Sequence, residues 1–307
     1  MATDSELFAD DGHRRVSMSV RSYRTMALIV LMTILLLPMQ LLAINRGWVL
    51  QSRLPKFYHR LALKLIGVQV RVIGKPVVGP PVLYASNHVS WLDISVLGSC
   101  VEGCFIAKRE VGEWAGFGTL ARLQRTVFVD RAQRSRTHAQ KAEIGARLDG
   151  GDNLILFAEG TSSDGTRVLP FKSALFGAAE RLTGAGHDEQ GPGIAVQPVT
   201  VAYTHINGIP LTRTTRPKIG WYGDMPMMPH FSDVLGLGRI SVDVHFHDPV
   251  DSRSYASRKT LATHCEREVR RGLLASRRSS LAEGQADKGA KAGKRPAKRR
   301  RRFSRSR

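Results

Sequence analysis

The sequence predicts an α/β fold, a mainly parallel sheet flanked by helices, preceded by an N-terminal membrane-embedded helix or helical hairpin. Three observations predict it. Residues 26–44 run without a charge. Between about residues 70 and 250, short apolar runs alternate with helix-like segments. His88, Lys108, Arg131 and Glu159 each fall at or just past the end of a candidate strand, and open α/β sheets gather their working residues there.

Residues 1–23 form a basic and polar segment, and residues 24–69 form the anchor. The 19 uncharged residues 26–44 match the length that crosses a bilayer core. No small-residue cleavage pattern follows them, so an uncleaved anchor is expected. Arg14, Arg15, Arg21 and Arg24 precede the run, and Arg46 and Arg53 follow it, so basic flanks set no orientation. Pro38 and Gln40 also permit a kinked helix that dips into one leaflet and returns. Residues 54–70, with Lys56, Arg60 and Lys64 among apolar positions, read as the returning or interfacial helix.

The catalytic domain is expected over residues 70–275. Candidate strands are 82–85, 104–107, 126–129, 154–158, 194–203 and 240–246, and candidate helices include 91–98, 134–148 and 172–182. Residues 184–193 read as a glycine-rich loop and 208–233 as a long connection. The remaining residues, 276–307, hold roughly half of the net charge of +20 and almost no apolar residues, so a disordered tail is expected. Such a tail suits a membrane with anionic lipids, and no specific nucleic acid is expected. A membrane-tethered nucleic-acid-binding protein is the alternative of another class. Cys100, Cys104 and Cys265 form no CxxC pair and point to a reducing setting. His245 and His247 alternate on a candidate strand without a metal-binding companion motif, so no metal site is expected.

The most informative stretch is Asn87-His88-Val-Ser90-Trp-Leu-Asp93. A buried strand ends there, and Ser90 is placed to cap a helix with Asp93 in its first turn. A carboxylate holding one imidazole nitrogen fixes the tautomer and makes the other nitrogen a base for a hydroxyl proton. Ser90-x-x-Asp93 is also a capping pattern that uses the aspartate structurally. No GxSxG elbow and no GxxxxGK loop occur, which argues against an acyl-serine route and against nucleotide hydrolysis.

Asn87-His-x-x-x-x-Asp93 resembles the first motif of the glycerolipid acyltransferases. Arg125-Thr-Val-Phe-Val-Asp-Arg131 resembles the second, Phe157-Ala-Glu-Gly-Thr161 followed by Phe171-Lys172 the third, and Val196-Gln-Pro-Val199 the fourth. Together they cover about residues 80–205 in the family's order. The resemblance implies transfer of a fatty acyl chain from acyl-carrier protein or acyl-CoA to a lysolipid hydroxyl, with no cofactor. It implies His88 as general base, Asp93 as its orienter, and Arg131, Glu159, Gly160 and Thr161 as acceptor-binding residues, with Lys108 and Lys172 as further candidates. It also implies an inner-membrane protein with the catalytic domain on the cytoplasmic side.

One position departs from the family. Its third motif continues Glu-Gly-Thr-Arg, whereas Ser162-Ser163-Asp164-Gly165 follows here. Losing a guanidinium and gaining an acid weakens a phosphate site. Either Arg131, Lys108, Lys172 or Arg167 holds the phosphate, or the acceptor has another head, such as that of lyso-ornithine lipid. The first expectation is 1-acylglycerol-3-phosphate, with lyso-ornithine lipid as the alternative.

Overall fold

The computed structural model describes residues 19–79, 81–114, 116–129, 137–177 and 194–293; of these, 137–142 and 285–293 are described as backbone only. Nine strands form one sheet: β1 (Val68–Ile73), β2 (Val82–Ser86), β3 (Cys104–Lys108), β4 (Val127–Val129), β5 (Leu154–Phe157), β6 (Ala195–Ile206), β7 (Ile209–Pro210), β8 (Ile240–Phe246) and β9 (Val250–Asp251). The order is β1-β8-β6-β2-β5-β3-β4, with β7 and β9 pairing onto β6. Pairing is parallel along the path except between β6 and β8. The expected mainly parallel sheet is present.

Helices cover both faces, because strand residues of opposite parity point to opposite sides. Val82, Tyr84, Val199, Val201 and Tyr203 pack with α2 (Leu50–Ile66), α3 (Leu92–Cys100) and α6 (Met227–Gly236). Leu83, Ala85, Val196 and Ala202 pack with α5 (Thr137–Asp149) and α7 (Arg258–Gly293). A short α4 (Phe117–Leu123) follows β3. His245 Nε2 donates to Ser276 Oγ at 2.6 Å, and His247 Nε2 donates to Thr200 Oγ1 at 2.8 Å, whose hydroxyl donates to Val269 O on α7, so both rings serve the packing of α7 on the sheet. The three cysteines are free, with Cys104 and Cys265 buried.

Four boundaries differ from expectation. The segment expected as an interfacial helix to residue 70 ends at Ile66, and Val68 already begins β1. The alternation Val68-Gln-Val-Arg-Val between Gly67 and Gly74 is the period-2 signal of a strand, and it outweighs the preceding helical pattern. Of the expected helix 172–182, Ser173–Phe176 form a 3-10 turn and Gly177 is helical, while residues 178–182 lie outside the described residues. Within the connection 208–233, β7 and the first part of α6 are formed. Residues 276–293, expected as disordered tail, continue α7. Ser276 donates to the buried Asp243 at 2.7 Å, and Ser280 is buried, so the basic composition hides one packed helical face. Residues 184–193 and 294–307 lie outside the described residues.

The N-terminal helix α1 (Val20–Asn45) lies along the domain. Near its start, Arg21 donates to the carbonyls of Ile66, Leu235 and Gly238, and Ser22 Oγ donates to Ser232 O. Near its end, Gln40 Nε2 donates to Leu123 O at 2.8 Å and Gln51 O at 3.1 Å. At 1.5 Å per residue these attachments are about 28 Å apart. Between them Val30, Leu31, Ile34 and Leu35 are exposed. Removing each such side chain from water contributes about 1.5–3 kcal/mol.

Candidate active site

His88 stands two residues beyond the pairing of Ser86 with Phe157, and Glu159 stands two beyond it on β5. Lys108 ends the neighbouring β3. The parallel register therefore brings His88, Glu159 and Lys108 to the same edge of the sheet. Asn87 locks the end of β2 to β6: its Nδ2 donates to Val201 O at 3.0 Å, and Val201 N–H donates to its Oδ1 at 2.8 Å.

His88 Nδ1 lies 2.9 Å from Asp93 Oδ2. The same oxygen accepts from the backbone N–H of Val89 at 2.6 Å and of Ser90 at 2.9 Å, and Oδ1 accepts from Tyr203 OH at 2.7 Å. Asp93 is wholly buried, whereas the His88 side chain is 16% exposed. Burial, followed by the Asp93 charge, pushes the Tyr203 phenol well above its ordinary pKa, so it stays a donor. The imidazole stacks on Phe157 with centroids 3.9 Å apart. Nε2 of His88 has no protein partner among the described residues. Held this way, the ring presents one free nitrogen beside a buried carboxylate, the arrangement of a general base.

Ser90 does not cap α3 as expected. The N-cap is Trp91, and Ser90 Oγ is buried without a partner among the described residues. Asp93 instead takes the two loop amides and the imidazole together. The structural and catalytic readings of this aspartate coincide in one carboxylate.

The segment after β5 lies against His88. Ser163 donates both its N–H and its hydroxyl to His88 O, at 2.9 and 3.1 Å, and Trp221 N–H donates to Val89 O at 2.9 Å. Gly160 has φ +73°, which lets the chain turn away from β5. Thr161, Lys108 and Lys172 are exposed. Arg131 lies outside the described residues. Glu159 is wholly buried; Leu169 N–H donates to its Oε1 at 3.2 Å, and Oε2 has no partner among the described residues.

Burial raises the Glu159 carboxyl to about 8, with the nearby Asp93 charge acting in the same direction and the Leu169 and His88 amides opposing. The folded state therefore holds a proton that the unfolded state releases above about pH 4. The stability this proton supports is complete below that pH and is lost as pH rises through about 8. Relative to Glu159→Gln, the wild type should lose roughly 1 kcal/mol per pH unit between about pH 5 and 8, and little more above. Denaturant melts of both proteins across that range check this; parallel stability curves would contradict a buried neutral Glu159.

Tyr203, Ser163, Trp221 and the Phe157 stacking were not singled out from the sequence as parts of the site. Tyr203 shares strand parity with Val199 and Val201, which places it on the α3 face, but its meeting with Asp93 depends on strand order.

The structure combines a mixed α/β sheet with a histidine-carboxylate pair at its carboxyl edge. Residues 69–202 match the Acyltransferase family model. The chain is 46% identical over 255 residues to a lyso-ornithine lipid O-acyltransferase of Brucella abortus (strain 2308), covering 82% of this chain and 93% of the relative. It is 41% identical to one of Rhizobium meliloti (strain 1021), with 84% and 88% covered. Against a 1-acyl-sn-glycerol-3-phosphate acyltransferase of Neisseria gonorrhoeae it is 30% identical, with 68% and 76% covered. The crystal structure of the 1-acyl-sn-glycerophosphate acyltransferase PlsC from Thermotoga maritima shares the fold, with TM-score 0.54 and 23% identity over 83% of this chain and 97% of that one. The chain belongs to the glycerolipid acyltransferase family, and it is an acyltransferase acting on a lysolipid.

Proposed function

We propose that this enzyme transfers a fatty acyl chain from acyl-carrier protein or acyl-CoA to the free hydroxyl of lyso-ornithine lipid, with His88 as general base and Asp93 as its orienter. The single observation that carries the chemistry is the His88 Nδ1–Asp93 Oδ2 contact of 2.9 Å with Nε2 left free. His88 Nε2 takes the hydroxyl proton as the oxygen attacks the thioester carbonyl. The C–O bond forms, the C–S bond breaks, and the departing thiolate receives the proton from the imidazolium. Thiolates leave readily, so no acyl-enzyme is required.

Two observations favour the ornithine acceptor: the 46% and 41% identity to enzymes named for it, and Ser162 where the phosphate-binding arginine of the family stands. The second reading, 1-acylglycerol-3-phosphate, is supported by the Neisseria relative. Gly160, Thr161, Lys108, Lys172 and Arg131 remain the acceptor-side residues. Glu159, being wholly buried, acts on the acceptor through the loop it positions.

The apolar outer face of α1, fixed to the domain at both ends, supports a helix lying within one leaflet of the inner membrane, with the catalytic domain on the cytoplasmic side. Lys and Arg on the domain suit both anionic lipid and an acidic carrier protein.

Acyl transfer by the detergent-purified protein, with lyso-ornithine lipid and lysophosphatidic acid offered in parallel, tests the acceptor. The expected result is a higher kcat/KM for lyso-ornithine lipid. A preference for lysophosphatidic acid would reverse the assignment.

A further inference from the structure

Beside residues 160–165 stand two guanidiniums that make no salt bridge among the described residues. Arg216, in the 3-10 turn Arg216–Lys218, is 8% exposed, and the one acceptor it reaches among the described residues is the Leu211 carbonyl, at 3.0 Å. Arg277, half-buried on α7, donates to Gly165 O at 2.7 Å, while its buried Nε–H meets no acceptor among the described residues. Neither guanidinium has a described carboxylate within 4.0 Å. Their nearest shared acid is Asp164, whose oxygens already accept from Thr166 N–H and hydroxyl. Burial and then the Arg277 charge push the Arg216 guanidinium down to about 10, so both remain protonated at neutral pH.

The pair borders the catalytic dyad. Gly165 has φ +69°, and a Cβ there would stand 2.9 Å from Val89 Cγ1 and 3.4 Å from Arg216 Cδ. Val89 directly follows the base, and the Gly165 carbonyl is the one Arg277 holds. The arginines thus flank the loop in which the third motif lacks its own. Two guanidiniums that share one acid, itself already bonded to Thr166, and a buried Nε–H that meets no acceptor among the described residues make an arrangement that an anionic group would complete.

We infer that Arg216 and Arg277 form the subsite for the head-group carboxylate of the acceptor, in place of the arginine absent at position 162. This rests on the lyso-ornithine reading. Two guanidinium forks suit the planar carboxylate geometry.

The test compares lyso-ornithine lipid with its carboxyl methyl ester, using wild type, Arg277→Gln and Arg277→Lys. Wild type should favour the free acid by about 10- to 100-fold in kcat/KM, as expected for a charge-assisted hydrogen bond. Arg277→Gln should bring that ratio most of the way to one, and Arg277→Lys should retain part of it. The ratio is independent of how much of a variant folds, and the wild-type comparison needs no variant. Equal turnover of acid and ester by wild type, or an unchanged ratio in Arg277→Gln, overturns the arginine subsite alone. Turnover of lysophosphatidic acid with neither ornithine form accepted overturns the acceptor reading and the subsite with it.

Discussion

Replacing His88 with alanine is expected to lower kcat by at least about two orders of magnitude while the fold persists, since general-base catalysis contributes about 10²–10⁴-fold. The side chain is partly exposed and its hydrogen bond to protein runs through Nδ1 alone. Its loss removes a ring stacked on Phe157 and opens a space already facing the substrate side. The melting temperature should therefore move little. Steady-state kinetics beside a thermal melt separate the two effects. Near-normal turnover with an intact melt would remove His88 from the mechanism, leaving the family fold with another source of base.

Asp93 should behave differently, because it holds four donors at once. Asp93→Asn keeps the shape and loses the charge that orients and stabilises the imidazolium, so kcat should fall by about 10²-fold or more with KM less affected. Asp93→Ala should also unfold more readily. It strands the Val89 and Ser90 amides and the Tyr203 hydroxyl in a buried place, and each stranded donor costs about 1–3 kcal/mol. A large melting shift in Asp93→Ala against a small one in His88→Ala distinguishes the residue that builds the loop from the residue that uses it. Equal melts for the two would mean that the amides find other partners.

Much of the sheet was legible because its central strands are buried on both faces. The continuous run Leu154-Ile-Leu-Phe157 and the strict alternation Ile240-Ser-Val-Asp-Val-His-Phe246 both announce themselves without knowledge of their neighbours. β1 was hidden because its alternation directly follows a helix of similar composition. The continuation of α7 past residue 276 was hidden because its packed face carries small polar residues, Ser276 bonded to Asp243 and the buried Ser280, a signal that hydrophobic periodicity does not register. In the site, the five-residue spacing from His88 to Asp93 was readable, since a strand-to-helix turn brings those positions together locally. Tyr203, Arg216 and Arg277 were not, because they reach the site through strand order and helix packing over long separations. Ser90 was misread as a cap because local pattern cannot tell that its hydroxyl makes no helix-capping bond while Asp93 reaches back to the Val89 and Ser90 amides.

The carbonyls of His88 and Val89 are held by two segments distant in sequence, by Ser163 and by Trp221. Under the proposed roles of His88 as base and of the loop after β5 as acceptor-binding, choice of substrate and speed of reaction become one inherited trait in this scaffold. A drift in the loop that greets a new head group also tilts the base, so new preferences arise through slow intermediates unless both segments change together. Laboratory chimaeras should exchange residues 161–169 and 211–222 as one cassette, and descent of the family into acceptor classes should have followed the same coupled step.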